Sequence, residues 1–299
     1  MDQTINQLIL SGSISIDRIM NFGGHYRDLI QPDKLHVLSL SVLIDQLQDS
    51  RGGTAANIAY SLGLLGERPI LLCSAGPPAT DYLADLAQLG VDTSHVHQSD
   101  LPTATFTVLT DVDDNQVGGF YPGAMADFVG LSLAPWYDKN PLVVISANAP
   151  AAMDQLVHEC ISNKLDYVYD VGQQVTNITV DQLKLGLSAA KILFVNDYEL
   201  GVILSRTQYS LQDLQKIIPT IITTLGKAGC DIGGTIVPAL SNVHVVDPTG
   251  AGDAFRAGFF YSYLRGHDLT TCARLGSVVA SYTVERQGTQ THTFTLAEV

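Results

Sequence analysis

Short, continuous apolar runs that alternate with helical segments constrain the fold of this chain most. A strand with one face in water shows alternating apolar and polar residues, whereas an unbroken apolar run is typical of a strand covered on both faces. Parallel strands need long connections, which are usually helices, so the alternation predicts an α/β fold with a mostly parallel sheet between helical layers. The predicted strands are 8–10, 69–73, 142–146, 167–170, 192–196 and 220–224, and the predicted helices include 58–65, 82–89, 151–163 and 181–190.

Two stretches depart from this alternation. Residues 18–50 contain paired glycines, a proline and short extended pieces such as 36–42, with no long helical period. Residues 104–110 and 116–121 are extended segments joined by a polar, acidic turn, which is the pattern of a β-hairpin. We predict that these stretches pair into a small β-sheet lid. The predicted domains are residues 1–17, 49–102 and 122–299 for the α/β domain, and 18–48 and 103–121 for the lid.

The charge of the chain restricts its partners. Thirty acidic and 16 basic residues give a net charge of −14, which disfavours binding to nucleic-acid backbones or to anionic membrane surfaces. No apolar run approaches the ~18 residues of a membrane-spanning helix, and the N-terminus has no signal-peptide pattern. The four cysteines are widely spaced, as expected for reduced core residues. We therefore expect a cytoplasmic protein.

A glycine-rich turn near the C-terminus is the strongest candidate for a reaction centre. It lies between a predicted short strand at 243–246 and a helix that starts near Ala254, so the backbone N–H groups of Gly250, Ala251 and Gly252 and the helix dipole form an anion site. Asp253 at its mouth can accept a proton from an attacking hydroxyl while the N–H groups hold a phosphoryl group. A tight turn followed by an ordinary first-turn acid gives the same short motif, so these residues alone leave both interpretations open.

Longer strings carry a family resemblance. DPTGAGDAFRAGF and GGTAANIAYSLGLLG closely resemble the C-terminal and N-terminal signatures of the ribokinase-like (pfkB) carbohydrate kinases, which phosphorylate a sugar or nucleoside hydroxyl with ATP. The resemblance implies a ribokinase-like three-layer α/β/α sandwich with a β lid. It also implies catalysis by Asp253 with the Gly250–Ala251–Gly252 turn, and binding of substrate hydroxyls by Gly52, Gly53 and Asn57.

Asp17 is a further candidate for the acceptor site. It follows the first predicted strand, where open α/β sheets bind ligands, and its two carboxylate oxygens can accept hydrogen bonds from neighbouring sugar hydroxyls. A turn aspartate that caps the next segment fits the same stretch equally well.

Two further strings resemble the nucleotide side of this family. Asn196 and Glu199 match its N-x-x-E motif, in which the pair organises Mg²⁺, largely through water, and the triphosphate; a helix cap gives the same string. The implied cofactors are ATP and Mg²⁺, with a requirement for a monovalent cation left open. The segment 226–247 is short for the hairpin usual in the family, so no residue is assigned to the adenine. The residues predicted to lie near ATP are Thr224, Gly226 and Gly229.

The middle of the chain resembles one branch of the family, the bacterial adenosine kinases of mycobacterial type. The matching runs include TATFTVLTDVDDNQVGGFYPGAM and DVGQQV. By this resemblance Phe106 and Phe120 enclose a purine, and the nucleoside pocket is lined by Ser13, Ser41, Gln173 and Gln174. The predicted reaction is phosphorylation of a nucleoside's primary hydroxyl, foremost adenosine to AMP. A sugar kinase of the same family and a non-catalytic nucleoside or nucleotide sensor remain alternatives. We also expect that exposed lid edges can pair two copies into a dimer.

Overall fold

The computed structural model describes residues 5, 7–37, 39–113 and 115–299. These residues form a large and a small β-sheet, a two-stranded sheet of residues 74–75 and 97–98, and a set of covering helices. Within these residues the strands are β1 (Gln7–Ser11), β2 (Ser15–Asn21), β3 (Gln46–Gly52), β4 (Ile70–Leu71), β5 (Ser74–Ala75), β6 (His97–Gln98), β7 (Ala104–Thr110), β8 (Gln116–Tyr121), β9 (Pro141–Ser146), β10 (Asp166–Asp170), β11 (Ile192–Asn196), β12 (Thr220–Thr224), β13 (Cys230–Ile232) and β14 (Thr235–Val237). The α-helices are α1 (Tyr26–Leu29), α2 (Thr54–Leu64), α3 (Thr80–Gln88), α4 (Pro150–Asn163), α5 (Val180–Ser188), α6 (Asp197–Thr207), α7 (Leu211–Ile217), α8 (Ala251–Tyr263) and α9 (Leu269–Val284).

The larger sheet has eight strands in the order β14-β13-β12-β11-β10-β9-β1-β4. From β4 to β12 neighbouring strands pair in parallel, whereas β13 pairs antiparallel with both β12 and β14. Successive residues of β1 enter different cores, because Leu8 and Leu10 pack with α2 and α8 whereas Ile9 packs with α4 and α5. Helices therefore cover both faces, which confirms the predicted α/β architecture with a mostly parallel sheet.

Aromatic packing fixes α8 on this sheet. Phe194 of β11 makes edge-to-face contacts with Phe259 and Phe260, with ring centroids 5.1 and 5.6 Å apart. Gly258 lets α9 approach closely, since a Cβ there would lie 2.7 Å from the carbonyl oxygen of Leu275. This packing sets the direction of α8 and hence the place of the glycine-rich turn at its N-terminus.

A separate four-stranded sheet has the order β3-β2-β7-β8. Its β7–β8 hairpin confirms the hairpin predicted from residues 104–121. The extended piece predicted at 36–42 is wrong: Pro32–Val37 forms a 3₁₀ helix, residues 39–42 have no regular structure, and Leu38 lies outside the described residues. Besides β7, the strand that pairs with β2 is β3, whose exposed and mostly polar side chains give no apolar signal. The domain boundaries proposed above remain a prediction.

Two expectations near the C-terminus need correction. Residues 243–246 form no strand; the Val246 N–H donates instead to the carbonyl of Val284 at 2.7 Å, at the end of α9. The short segment after Gly226 does contain a hairpin, because Gly233 and Gly234 both adopt positive φ and allow a two-residue turn between β13 and β14. In the part of the chain that the structure describes, no helix has the length and apolar character needed to cross a membrane.

Candidate active site

The glycine-rich turn leads directly into the first turn of α8. Gly250 has a left-handed conformation (φ 78°), and the Ala251 N–H donates to the carbonyl of Pro248 at 3.2 Å. In the next backbone hydrogen bond of the helix, the Ala254 N–H donates to the carbonyl of Gly250 at 3.0 Å. The N–H groups of Gly252 and Asp253 therefore lie in the turn where a helix supplies no carbonyl partners, as an anion site requires.

Asp247 braces this turn against a segment that follows α9. Its carboxylate accepts hydrogen bonds from the Thr249 N–H at 2.9 Å, the Gln287 side chain at 3.0 Å and the Gly288 N–H at 2.9 Å. Partial burial alone would raise the pKa of Asp247, but these hydrogen bonds to Thr249 and Gly288 outweigh it and lower the pKa. An ionised Asp247 thus keeps the turn and the C-terminal segment together.

Asp253 has the environment of a general base. Asn57 Nδ2 donates to Asp253 Oδ2 at 2.8 Å, which joins the two predicted family signatures in one site. Withdrawal from water raises the pKa of Asp253 to about 7; nearby Arg256 and the Asn57 hydrogen bond oppose the rise, and the charges of Asp170 and Asp17 add to it. A carboxylate that titrates near neutral pH is well matched to accepting a proton from a hydroxyl.

Arg256 lies one helical turn beyond the glycines and belongs to a buried ion pair. Its Nη2 donates to Asp170 Oδ1 at 2.6 Å, and the other carboxylate oxygen of Asp170 accepts from Ser146 Oγ at 2.7 Å. The guanidinium lies over the ring of Phe194, 5.3 Å from its centroid, and a Cβ at Gly252 would be 2.9 Å from its Nη1. Because residue 252 has no side chain, the positively charged guanidinium of Arg256 can lie directly against the predicted phosphate-binding turn.

On the acceptor side, Asp17 lies over the paired glycines. A Cβ at Gly52 would be 2.7 Å from Asp17 Cγ, and one at Gly53 (φ 99°) would be 2.6 Å from Ile14 Cα. A side chain at 52 would displace the Asp17 carboxylate, whereas glycine is required at 53 because of its positive φ and the close backbone of Ile14. Burial raises the pKa of Asp17, while the hydrogen bond from Ser15 lowers it.

The two predicted aromatic residues lie in one row with Asp17. In the register of the small sheet Asp17 is opposite Phe106, and Phe106 is opposite Phe120, so the three side chains share a face. The phenylalanines are 37% and 48% exposed. The Phe106 ring lies over Gly118, where a Cβ would be only 3.1 Å from it. An open, apolar surface of this kind beside a carboxylate suits a ligand with a flat ring and hydroxyls.

Ser13 has a visible structural task. Its Oγ accepts the Thr54 N–H at 3.0 Å, and its carbonyl accepts the N–H groups of Ala55 and Ala56 at 3.2 and 3.4 Å. It therefore caps the N-terminus of α2, which carries Asn57. Its predicted contact with the nucleoside stays a prediction.

Three other predicted pocket residues lie outside the α-helices and strands. Ser41 lines an open cavity of about 450 Å³ in the small-sheet region, together with Phe22 and His25. Gln173 and Gln174 lie in the 3₁₀ helix that follows β10, where Gln174 Oε1 accepts from Asn177 Nδ2 at 3.0 Å. The binding roles of these residues stay predictions.

Asn196 and Glu199 form a reciprocal capping box at the start of α6. Asn196 Oδ1 accepts the Glu199 N–H at 2.7 Å, and Glu199 Oε2 accepts the Asn196 N–H at 2.8 Å. Burial raises the pKa of Glu199, and its carboxylate interacts electrostatically with Asp170 and Arg256. The two residues thus form the helix cap that the string allowed, and Glu199 Oε1 takes no part in the capping box. Such an oxygen fits a water-mediated role towards Mg²⁺, a hard cation that keeps several of its waters.

The predicted nucleotide residues follow β12. Thr224 ends the strand. Gly226 begins a 3₁₀ turn and Gly229 follows it, with positive φ of 56° and 98°. A Cβ at Gly229 would be 2.6 Å from the backbone nitrogen of Ala239, so only glycine at 229 lets the turn pack against that backbone. The three residues keep their predicted roles as predictions.

Sequence reasoning missed a group of residues behind the site. Gln290 Nε2 donates to Asn57 Oδ1 at 2.8 Å and to the hydroxyl of Tyr82 at 2.5 Å, and Tyr82 donates to the carbonyl of Gly52 at 2.8 Å. Thr289 Oγ1 donates to the carbonyl of Arg51 at 2.6 Å. The polar string at 287–291 after the last helix is the only sequence signal for this contact.

Comparison with known proteins identifies the family of this chain. A model described as pfkB family carbohydrate kinase matches residues 16–295. The chain belongs to the pfkB family of carbohydrate kinases. It is 33% identical over 288 residues to a nucleoside kinase of Methanothermobacter thermautotrophicus, with 93% of each chain covered.

Solved structures of related pfkB-family kinases are also similar. A nucleoside kinase of Burkholderia thailandensis in complex with inosine has a TM-score of 0.87 and 31% identity, and the match covers 97% of this chain and 95% of that one. The same kinase in complex with ADP-inosine has a TM-score of 0.83 and 32% identity, over 97% and 93% of the two chains. This pfkB-family kinase is therefore a phosphotransferase with an alcohol group as acceptor and uses ATP, and its fold is ribokinase-like.

Proposed function

We propose that this kinase transfers the γ-phosphoryl group of ATP to the primary hydroxyl of a nucleoside, foremost the 5′-hydroxyl of adenosine. The observation that carries the proposal is the row of Asp17, Phe106 and Phe120 on one face of the small sheet. It places two aromatic faces for a base beside a carboxylate for ribose hydroxyls. The inosine complex of the related Burkholderia kinase supports a purine nucleoside as the acceptor.

The arginines near the acceptor side disfavour a sugar phosphate. Arg18 pairs with Asp49 at 2.7 Å, and Arg51 pairs with Asp85 at 2.5 Å and lies over the Tyr82 ring. A second phosphate would have to displace these partners before it could bind. An unphosphorylated sugar such as ribose or fructose remains the alternative within the family.

In the proposed reaction Asp253 accepts the proton of the attacking hydroxyl. Asp17, Gly52, Gly53 and Asn57 orient the sugar. The Ala251 N–H already has the Pro248 carbonyl as its partner, so in the 250–253 turn the N–H groups of Gly252 and Asp253 hold the developing charge on the transferred group. Mg²⁺, organised by Asn196 and Glu199, would neutralise charge on the triphosphate. Closure of the lid excludes water as a competing acceptor.

The remaining predicted roles belong to this proposal. Ser13, Ser41, Gln173 and Gln174 line the nucleoside pocket, and Thr224, Gly226 and Gly229 border the nucleotide. Leu43, Leu47 and Val117 expose apolar surface in the small-sheet region, which supports a dimer formed through the lid. We place the reaction in the cytoplasm, as expected above.

The test is ATP consumption with Mg²⁺ against adenosine, inosine, other nucleosides, ribose and fructose. Turnover with purine nucleosides, and a KM for the nucleoside raised by Phe106→Ala, are expected. Turnover with free sugars alone would refute the nucleoside assignment. Asp253→Asn should reduce kcat by about 10²–10⁴-fold, the contribution typical of general-base catalysis, while nucleoside binding persists. Wild-type protein that binds ATP without turnover would favour the sensor.

A further inference from the structure

A chain of four hydrogen bonds, here called the relay, connects the paired glycines to Asp253, and the direction of each bond is fixed. The carbonyl of Gly52 can only accept, so the Tyr82 hydroxyl must donate to it, at 2.8 Å. The Tyr82 oxygen is then available to accept from Gln290 Nε2, which also donates to Asn57 Oδ1 at 2.8 Å. This leaves Asn57 Nδ2 to face Asp253. One backbone carbonyl therefore fixes the orientation of both amides.

We propose that Gln290 is a positioning residue, which holds the Asn57 amide with its N–H towards Asp253 and so favours the ionised, proton-accepting form of that carboxylate. The inference rests on the proposed role of Asp253 as general base. It assigns a task to the segment that follows α9, which none of the sequence motifs includes.

An amide presents a donor to Asp253 in one orientation and an acceptor in the other. With Nδ2 facing it, ionised Asp253 accepts a hydrogen bond, whereas the proton of a neutral Asp253 finds no acceptor on Asn57. Without Gln290 the amide can turn over, so that its oxygen accepts that proton and stabilises the neutral acid. One neutral hydrogen bond gained by the acid form corresponds to an upward shift of about 0.5–1 pH unit.

Other groups also act on Asp253. Arg256 and Asp170 form the buried pair beside it, Asp17 faces it from the small sheet, and each contributes to its pKa. Tyr82 is buried, and burial raises its pKa, so its hydroxyl stays a donor throughout the range of the experiment. Replacing Gln290 by methionine leaves these charged groups and the length of the side chain nearly unchanged.

The experiment is the pH dependence of kcat at saturating ATP, Mg²⁺ and nucleoside for Gln290→Met. We expect the acidic limb to move upward by about 0.5–1 pH unit, kcat at pH 6 to fall about 3- to 10-fold, and kcat above pH 9 to approach the wild-type value. Tyr82→Phe, which removes the anchor of the relay, should move the limb in the same direction and supplies a second test if Gln290→Met does not fold. A limb that stays in place in a folded Gln290→Met overturns the inference.

Two matched variants separate positioning from docking of the segment. Thr289→Val removes the neighbouring hydrogen bond to Arg51 and keeps the methyl group beside Gly250, so it should lower stability without moving the limb. Gln155→Met removes a glutamine bonded to the Leu131 carbonyl far from the site and should leave activity unchanged. A limb moved equally by Thr289→Val would refute the specific role of Gln290.

A double-mutant cycle tests the route of the effect. Because Gln290 acts through Asn57, Gln290→Met should not move the limb further once Asn57 is leucine. An additional shift of the same size in that background contradicts the proposal. If Asp253→Asn keeps full turnover, the proposed general base itself fails. If Asp253→Asn abolishes turnover and Gln290→Met has no effect on the limb, only the present inference fails.

Discussion

Replacing Asp170 by asparagine should change stability and catalysis in ways that can be measured separately. The substitution keeps the shape of the side chain and an oxygen for Arg256, but it removes the charge that compensates the buried guanidinium. Loss of one partner from a buried ion pair costs about 3–5 kcal/mol, and we expect the lower end because one hydrogen bond survives. At roughly 2–4 °C per kcal/mol, Tm should fall by about 6–12 °C.

The same change should make Asp253 a stronger acid. The charge of Asp170 raises the pKa of Asp253, whereas that of Arg256 lowers it, so removing Asp170 leaves the opposing effect of Arg256 unbalanced. We expect the acidic limb of kcat to move down by about 1 pH unit relative to wild type. ATP is common to both profiles, so its own ionisation cancels in the comparison.

The assay compares thermal unfolding and the kcat–pH profiles of the wild type, Asp170→Asn and Asp166→Asn. Asp166→Asn is the matched control, since Asp166 lies on the same strand and pairs with Lys191 at 2.5 Å in an exposed position. An exposed pair is worth about 0–1 kcal/mol, so this variant should unfold close to wild type. Equal Tm losses in the two variants, or an upward shift of the limb in Asp170→Asn, would refute the electrostatic reasoning.

Three further predictions concern single residues. Burial lowers the pKa of His292 from 6.5 to about 4. The contribution of neutral His292 to stability is therefore complete above pH 6.5 and is lost as the pH falls towards 4. The free energy of unfolding should drop by about 2 kcal/mol between pH 7 and pH 5. Urea titrations at the two pH values should show a smaller drop in His292→Gln. Asn57→Leu removes a hydrogen bond to ionised Asp253 and should raise the acidic limb of kcat by about 1 pH unit; a downward shift would contradict the donor role. Gly53→Ala combines positive φ with a 2.6 Å contact and should lower stability by more than 2 kcal/mol, whereas Gly66→Ala, with positive φ in open space, should cost only about 1 kcal/mol in the same denaturation assay.

The parts of the fold that the sequence predicts well are those in which burial is local and periodic. Strands 192–196 and 220–224 match β11 and β12 because an unbroken apolar run has few other places in an α/β protein. Strand β3 escaped detection since it is an exposed, polar edge strand whose place is set by pairing with β2. The valines at 243–246 suggested a strand, but in the structure their backbone meets the end of α9.

The candidate site shows the same limit. Gly250 and Asp253 can be found from one string because turn and helix N-terminus are adjacent in the sequence. The string from Asn196 to Glu199 fits a capping box and a metal motif equally, and the structure shows the box without testing the metal. Gln290 and Tyr82 are 208 positions apart, so only the tertiary fold brings them together.

The row of Asp17, Phe106 and Phe120 has a mechanical consequence for a moving lid. Asp17 is the third of seven residues in β2, so the tip of the strand at Asn21 lies about 13 Å beyond it at ~3.3 Å per residue. If the small sheet swings about the end where Ser15 adjoins Gly52, Asp17 is close to the fulcrum and the tip is at the end of the lever. A displacement of about 6 Å at the tip then moves Asp17 by only about 2 Å. Such a lever would let the tip of the small sheet open widely to admit a nucleoside, while the row of Asp17, Phe106 and Phe120 keeps nearly the same position relative to Asp253.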